Sequence, residues 1–436
     1  MKLQLQKKLG NLTTFYYLMK LDRSFSNPKR IKDTQNRNVH KMMEHAYHIP
    51  FYRKRFDENH LTPDDFHSSE DLVKFPVLTK AELRAWMKEM YDTHPDTRDT
   101  WDATSTSGST GVPLKLYQSQ REHACANASW IRTLMTFGYN PFFGKMVSFE
   151  SSYRSEKKQR DSFLQRFGIL QRRILSEKRC VGDGMKDVIR ELNEYKPDLI
   201  CLRKNCIVRI ALYAQQHGIE LYHPKWYIPV SEMVDEITRQ TLEKSFGPGL
   251  VDCYGCDETG SCLVKRPGND YYDGCNDTHV INIYDEQGRL ADNGRVILTT
   301  LYKLDFPIIN YDIGDIASSY TKNGIRYVTK IHGRLNDMVK HENGEDTSVL
   351  ELRKIPNGIT GVAQFRYVQE SYHDLRVELV RDPQDTTYSE EQITKFFLDK
   401  LHALYGDEFR IRIEWLEVIP PDPNGKLRCF VCNVKE

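Results

Sequence analysis

Residues 198–254, DLICLRKNCIVRIALYAQQHGIELYHPKWYIPVSEMVDEITRQTLEKSFGPGLVDCY, alternate between short apolar runs and longer helix-like segments. The pattern predicts three strands and two helices, in the order Asp198–Leu202, Ile207–Gln216, Lys225–Val230, Val234–Phe246 and Leu250–Tyr254. Strands that alternate with helices of this length indicate a parallel sheet with right-handed crossovers. Ligands on such sheets lie beyond the carboxyl ends of the strands, and the Tyr254-Gly255 turn is expected at such an end.

The remaining part of the chain predicts two further kinds of structure. From His279 onward, three strand-like segments separated by turn signals predict an antiparallel meander or small barrel, namely His279–Tyr284, Arg295–Tyr302 and Arg326–Ile331. After Gly333, a β-β-α-β order predicts a small α+β domain, with segments Val362–Val368, Leu375–Val380, Ser389–Tyr405 and Ile411–Leu416. The fold class predicted is therefore α/β. Residues 1–332 form a large N-terminal domain with a parallel α/β sheet and a small β meander or barrel, and residues 333–436 form a small, mobile α+β lid.

The composition is that of a globular protein, because 39% of the 436 residues are hydrophobic and 28% are charged. A formal net charge of +1 gives no reason to expect nucleic acid or an anionic membrane as the principal partner. No apolar run approaches the length needed to cross a bilayer. Asn11, Thr13 and Thr14 interrupt the lysine-containing N-terminus, and the ten cysteines are dispersed. These features predict a cytoplasmic protein with reduced thiols or a metal site.

The segment Thr104–Pro113, TSTSGSTGVP, is the most distinctive short motif in the sequence. Hydroxyl side chains placed among Gly108 and Gly111 allow backbone N–H groups to converge on an anion while the side chains add donors. The segment is not an ordinary P-loop, because no Gly-Lys-Ser/Thr follows Gly108 at the required spacing. The alternative interpretation is a flexible Ser/Gly linker.

The order Ser-Gly-Ser-Thr-Gly-x-Pro in this segment resembles the phosphate-binding signature of the adenylate-forming superfamily. Further matches follow in the family's order: Ser231-Glu-Met233, Tyr254-Gly-Cys-Asp-Glu258, Tyr311-Asp-Ile-Gly-Asp315, Gly333-Arg334 and Asn424-Gly-Lys426. The N-terminal stretches His48–Arg53, Leu61–Asp65 and Phe75–Leu83 resemble the opening of the phenylacetate–coenzyme A ligases and of their capsule-biosynthesis relatives.

The resemblance implies a role for each of these motifs. Glu258 would hold Mg²⁺, a cation that prefers carboxylate oxygens and substrate phosphates, and Lys426 would stabilise the charge that develops as pyrophosphate leaves. The nucleotide-binding residues implied are Thr106, Ser107, Gly108, Ser109, Thr110, Gly111, Ser231, Glu232, Met233, Tyr254, Gly255, Asp257, Asp315 and Arg334. Among these, Tyr254 would lie against the adenine, and Asp315 and Arg334 would contact the ribose.

Three positions depart from the family pattern. Val112 stands where the loop usually carries lysine, and Asp257 replaces the hydroxyl residue that contacts the AMP phosphate. A carboxylate at that position should repel phosphate unless it helps to hold the metal ion. Asn336 occupies the position of the hinge aspartate, and the adjacent Asp337 is its candidate replacement.

A structural zinc site is a separate hypothesis. Many phenylacetate ligase relatives carry paired cysteines between the Gly-Asp and Gly-Arg motifs, but this chain has no cysteine between Asp315 and Gly333. Zinc prefers cysteine and histidine ligands, and an alternative cluster is available in Cys253, Cys256, Cys262, Cys275 and His279. Because Cys253 and Cys256 flank Tyr254, a zinc knuckle there would compete with nucleotide binding.

The expected activity is ATP-dependent activation of a small-molecule carboxylic acid as its adenylate, followed by transfer to a thiol, predicted to be that of coenzyme A. The alternatives are transfer to an amine, a carrier protein or an unusual coenzyme, and a non-catalytic homologue that only binds a nucleotide. Both a monomer and a homodimer are compatible with the sequence, and the sequence does not specify the acid.

Overall fold

The computed structural model of the chain describes residues 13–21, 27–105, 114–150, 163–182, 184–335, 337–422 and 425–434. Its helices are α1 (residues 13–20), α2 (Pro28–Ala46), α3 (Pro50–Glu58), α4 (Lys80–Thr93), α5 (Gln120–Thr136), α6 (Phe163–Arg166), α7 (Gly184–Tyr195), α8 (Lys204–Gln216), α9 (Glu236–Phe246) and α10 (Glu390–Tyr405). Among the described residues, no helix combines the length and the apolar character that a membrane span requires.

The strands, in chain order, are β1 (Asp102–Ser105), β2 (Lys115–Gln118), β3 (Met146–Glu150), β4 (Arg172–Ser176), β5 (Leu199–Arg203), β6 (Trp226–Val230), β7 (Asp252–Cys256), β8 (Gly260–Lys265), β9 (Asp273–Gly274), β10 (His279–Tyr284), β11 (Asn293–Thr300), β12 (Tyr311–Lys322), β13 (Ile325–Arg334), β14 (Met338–Val339), β15 (Thr347–Ser348), β16 (Val362–Gln369), β17 (Asp374–Arg381), β18 (Arg410–Leu416) and β19 (Phe430–Cys432). Contacts between residues divide the chain into two compact units, each built from two separate stretches.

The first unit comprises Met1–Gly138 and Cys253–Arg334. Its main sheet has the order β10-β11-β12-β13, with every neighbouring pair antiparallel, which confirms the predicted meander. The sheet contains one strand more than the sequence pattern indicated, because β12 begins within the Tyr311–Asp315 motif and continues to Lys322. A second sheet, β7-β8-β9, carries the Tyr254-Gly255 turn region on its first strand.

The second unit comprises Tyr139–Asp252 and Leu335–Glu436. Its parallel sheet has the order β4-β3-β5-β6, and α7 and α8 pack into the same apolar core as these strands. Its other large sheet has the order β18-β17-β16-β19, and α10 packs against it, so the β-β-α-β prediction is confirmed.

The third strand predicted for the parallel sheet differs from the prediction. Leu250 forms a single parallel bridge with Tyr227 on β6, and the regular strand begins only at Asp252, where β7 is a neighbour of β8. The chain thus leaves the parallel sheet just before the Tyr254–Glu258 motif. That motif belongs to the first unit.

Taken together, the parallel α/β sheet, the antiparallel meander and the small α+β part confirm the predicted fold class. The second unit contains residues from both sides of Gly333. The assignment of residues 1–332 and 333–436 to separate domains, with the latter mobile, stays a prediction.

Candidate active site

Glu258 is a buried carboxylate in the turn between β7 and β8 of the first unit, with 4% of the residue exposed. The hydroxyl of Tyr311 donates to Glu258 Oε1 at 3.0 Å, and Lys80 Nζ lies 3.5 Å from the same oxygen. Lys303 Nζ donates to the backbone carbonyl of Glu258 at 2.7 Å. The position of the carboxylate is therefore fixed by contacts to its side chain and to its own peptide group.

The carboxylate of Glu258 fits the magnesium role as a source of one oxygen ligand. Mg²⁺ is commonly bound by one or two carboxylates together with substrate phosphates rather than by an all-protein cage. The described residues contain no group of three or more His, Cys, Asp or Glu side chains arranged to hold a metal ion. Glu258 would hold Mg²⁺ jointly with the phosphates of a nucleotide.

Tyr254 and Asp315 form the second part of the candidate site. The hydroxyl of Tyr254 donates to Asp315 Oδ2 at 2.7 Å, and Arg334 Nε lies 4.0 Å from Asp315 Oδ1. Arg334 is the direct cross-strand partner of Asp315 in the β12–β13 pair. Burial, followed by the negative charge of Asp315, raises the pKa of Tyr254 well above its ordinary value, so the phenol stays a neutral donor.

Glycine is required at position 255 by the space available. A Cβ atom at Gly255 would lie 2.2 Å from the carbonyl oxygen of Gly260 on the adjacent strand, a distance that no side chain tolerates. Both Gly255 and Asp257 are exposed, whereas Glu258 is buried. The predicted contacts of Gly255 and Asp257 with a nucleotide stay predictions.

The predicted phosphate-binding residues Thr106, Ser107, Gly108, Ser109, Thr110 and Gly111 lie outside the described residues, as does Val112. The strands that flank them, β1 and β2, are antiparallel, with Ser105 opposite Lys115.

The remaining predicted site residues belong to the second unit. Ser231 follows β6 with a φ of +75°, a left-handed conformation uncommon for a residue with a side chain. Glu232 Oε2 accepts a hydrogen bond from the backbone N–H of Leu427 at 2.9 Å, which places the residue after Lys426 directly beside the Ser231–Met233 segment. Burial raises the pKa of Glu232, and the positive charge of Lys204 opposes that shift.

The zinc hypothesis is not supported. The ten cysteines are free thiols, and four of the five proposed ligand side chains have hydrogen-bond partners within the protein. His279, for example, lies 3.0 Å from Thr278 Oγ1 through Nδ1 and 2.9 Å from the carbonyl oxygen of Thr259 through Nε2. The thiols of Cys256, Cys262 and Cys275 contact Thr259, Tyr254 and Thr133, respectively.

Three residues at the site were given no role by the sequence pattern. Lys80 lies within the Phe75–Leu83 stretch that carries the family resemblance, and this position is the one signal in the sequence that it belongs to the site. Tyr311 opens a recognised motif, but only the contact with Glu258 identifies its hydroxyl as part of the site. Lys303 is 4% exposed, and burial lowers its pKa, with nearby Glu122 opposing the shift. The sequence contains no signal for a buried lysine at this position.

Comparisons with known proteins bear on the fold and on the resemblance predicted from the motifs. Residues 339–433 match the family model described as the CapK C-terminal domain. A solved structure of 2-hydroxyisobutyryl-CoA ligase, in the postadenylation state in complex with 2-HIB-AMP, matches with a TM-score of 0.70 and 17% identity, covering 94% of this chain and 93% of that chain. The chain has the fold of the adenylate-forming ligases.

Curated relatives match in sequence as well. A phenylacetate-coenzyme A ligase of Aromatoleum evansii is 24% identical over 346 residues, which cover 71% of this chain and 72% of that protein. Protein CapK of Staphylococcus aureus is 24% identical over 270 residues, covering 60% of this chain and 59% of that protein. The resemblance to adenylate-forming ligases of the phenylacetate ligase and capsule groups, predicted from the motifs, is therefore confirmed.

Proposed function

We propose that this adenylate-forming chain activates a carboxylic acid with ATP as an acyl-adenylate and then transfers the acyl group to the thiol of coenzyme A. One observation carries the proposal: two family motifs, far apart in sequence, contact each other twice. Tyr254 bonds to Asp315, 61 positions away, and Tyr311 bonds to Glu258, 53 positions away. Each contact pairs a residue implied in nucleotide or metal binding with a residue of the other motif.

The similar proteins support the same chemistry. Four of the curated relatives are named phenylacetate-coenzyme A ligases. The structurally similar 2-hydroxyisobutyryl-CoA ligase is described with an acyl-adenylate bound.

In the first half-reaction, a carboxylate oxygen of the substrate attacks the α-phosphorus of ATP, and the bond from that phosphorus to pyrophosphate breaks. Asp315 and Arg334 bind the ribose, and Tyr254 lies against the adenine. Mg²⁺, held by Glu258 and the phosphates, would neutralise phosphate charge. The ammonium group of Lys426 stabilises the charge that develops as pyrophosphate leaves.

In the second half-reaction, the thiol of coenzyme A attacks the carbonyl carbon of the adenylate. The bond between this carbon and the AMP oxygen breaks, and AMP leaves with that oxygen. If the ammonium group of Lys426 occupies the approach path of the thiol, it must withdraw before this step. A conformational change between the two half-reactions is therefore part of the proposal.

A different acceptor is the second candidate. The observation that favours it is the match of residues 339–433 to the CapK C-terminal domain. An amine, a carrier-protein thiol or another coenzyme would then take the acyl group or the AMP group.

The test is a panel of aryl, fatty, hydroxy and amino acids, each incubated with ATP and magnesium, with and without coenzyme A. Mass spectrometry should detect an acyl-adenylate without coenzyme A, and an acyl-CoA and AMP with it. An adenylate that forms but is not consumed by coenzyme A would favour the second candidate. Nucleotide binding by calorimetry without pyrophosphate release for any acid would overturn both and indicate a non-catalytic homologue.

A further inference from the structure

A buried ionic cluster in the second unit is not accounted for by the reaction described above. Lys204, at the start of α8, has its ammonium group 3.7 Å from Glu232 Oε2 and 3.6 Å from Asp235 Oδ2. The side chains of Lys204 and Glu232 are each 7% exposed. Asp235 also caps α9, because its Oδ1 accepts the backbone N–H of Thr238 at 2.8 Å. The cluster therefore joins the starts of two helices to the segment that follows β6.

Glu232 of this cluster and the neighbouring Asn205 contact the turn that carries Lys426, one on each side of the lysine in sequence. Glu232 accepts the backbone N–H of Leu427, immediately after the lysine, at 2.9 Å. The side-chain amide of Asn205 donates to the carbonyl of Gly425, immediately before it, at 3.4 Å. The turn itself is closed by a bond of 2.7 Å from the N–H of Asp422 to the carbonyl of Lys426.

The contact around the turn is polar and incompletely satisfied. Glu232 Oε1, Asn205 Oδ1 and Gln364 Nε2 are buried and have no hydrogen-bond partner within the described part of the chain. A cavity of about 20 Å³ lies beside Asn205 and Gln364, and Leu427 also lines it. Buried polar groups without partners cost free energy that is recovered when they are hydrated. Separation of the turn from Glu232 would break the hydrogen bond to Leu427, but hydration of these unpartnered groups would offset part of that loss.

Resting on the function proposed above, we propose that Glu232 is a positioning residue that docks the Lys426 turn for the adenylation half-reaction and releases it for thiol transfer. The first step needs the ammonium group of Lys426 at a defined position, and small displacements of a charge-stabilising group cost rate steeply. The second step needs no contribution from Lys426. Loss of Glu232 should therefore slow one half-reaction and spare the other.

The experiment measures the two half-reactions separately on the full chain. Acid-dependent exchange of pyrophosphate into ATP reports the first, and consumption of preformed acyl-adenylate with coenzyme A reports the second. At saturating ATP and acyl-adenylate, Glu232→Ala should lower the exchange on the order of 10²-fold and lower adenylate consumption far less. Loss of a nucleotide contact at Glu232 would instead lower both rates. Glu232→Gln keeps an acceptor for the N–H of Leu427 but removes the charge that faces Lys204, so its exchange should fall less.

Asp382→Asn is the matched control, because Asp382 is another buried carboxylate that links the same two stretches of the second unit, through an ion pair with Lys244 on α9. Its ratio of exchange to adenylate consumption should equal that of the wild type. An equal ratio in Glu232→Ala, whether both rates are retained or both fall, would overturn the proposal. If Glu232→Ala does not fold, the ratio measured for Glu232→Gln decides in the same way. A wild-type protein that shows neither half-reaction would instead refute the proposed function.

Discussion

At the scale of single residues, the structure adds partners to side chains that the sequence had already singled out. Glu258, Asp315 and Tyr254 were identified from motifs, and the structure gives Asp315 the hydroxyl of Tyr254 as a partner and Glu258 the hydroxyl of Tyr311. Their roles in nucleotide and metal binding stay predictions. Lys80 could not be assigned from the pattern, because a lysine in a helical segment is usually solvated. Only the fold brings its ammonium group to 3.5 Å from Glu258 Oε1.

Glu258→Gln should lower acid-dependent ATP–pyrophosphate exchange on the order of 10²-fold or more, because the amide keeps the shape but loses the charge needed to hold Mg²⁺. Tyr311→Phe removes a single hydrogen bond to the same carboxylate and should cost only about tenfold or less, since one such bond contributes ~1 kcal/mol. Equal exchange rates in Glu258→Gln and the wild type would show that Glu258 does not bind the metal.

Tyr254→Phe should raise the KM for ATP by a few-fold with little change in kcat, because Asp315 loses the hydroxyl that orients it, at a cost of ~1 kcal/mol. Steady-state kinetics with varied ATP measures the effect. Tyr320→Phe, which removes the hydroxyl of a partly exposed tyrosine on the same strand as Asp315, is the control and should leave KM unchanged. A rise in KM of equal size in both variants would contradict the assignment.

At the scale of elements, regular periodicity was predictive and local interruptions were not. The strands and helix of the β-β-α-β part were found within about one residue of their ends, because their apolar residues recur at regular intervals. By contrast, a proline marks an interruption without showing to which helix it belongs. Pro50 occupies the first position of α3, where its missing N–H has no helical partner to lose. The strand β12 escaped prediction because its buried residues do not alternate regularly with exposed ones.

The start of β10 supplies a prediction about pH. His279 is buried, and burial lowers its pKa from 6.5 to about 4. In the unfolded chain the imidazole binds a proton near pH 6.5, whereas the folded protein does not until about pH 4. The contribution of His279 to the free energy of unfolding is therefore complete above pH 6.5 and falls by about 3 kcal/mol as pH decreases to about 4.

Lowering the pH from 7.5 to 4.5 should thus reduce the free energy of unfolding of the wild type more than that of His279→Gln, whose amide does not titrate. Urea unfolding at the two pH values measures this difference. The comparison cancels the titration of groups that the two proteins share. Parallel losses of stability in the two proteins would show that the imidazole is not held neutral.

Chelation tests the zinc hypothesis. Because His279 and three of the cysteines near it form ordinary hydrogen bonds, a chelator should leave the Tm of the protein unchanged. A structural zinc ion would contribute to folding directly, so its removal would lower the Tm. Metal content measured on the purified protein provides an independent reading. Stoichiometric zinc together with a chelator-induced fall in Tm would restore the cluster hypothesis.

At the scale of the whole molecule, the predicted site residues are distributed over both compact units. The sequence order of the motifs indicated the fold and the reaction class, because each motif has a recognisable chemistry. It could not show that Glu232 contacts the Lys426 turn, since Glu232 and Leu427 are 195 positions apart and share no pattern. Long-range polar contacts of this kind leave no periodic signal in a sequence.

Lys426→Ala provides a test at this scale, since the lysine is proposed to act on developing charge and not on nucleotide affinity. The exchange rate should fall on the order of 10²-fold, while the Kd for ATP measured by calorimetry should change little. Lys354→Ala, which alters an exposed lysine in the same unit, is the control. Wild-type exchange in Lys426→Ala would remove this residue from the mechanism.

In the proposed reaction, the acid is activated by attack of its own carboxylate oxygen on the α-phosphorus of ATP. This step can be followed with acid labelled with oxygen-18 in both carboxylate positions and converted with ATP, magnesium and coenzyme A. We expect the AMP released to carry one oxygen-18 atom, because the bond broken in the second step lies between the carbonyl carbon and that oxygen. Thioester formed together with unlabelled AMP, or with the label in inorganic phosphate, would contradict it.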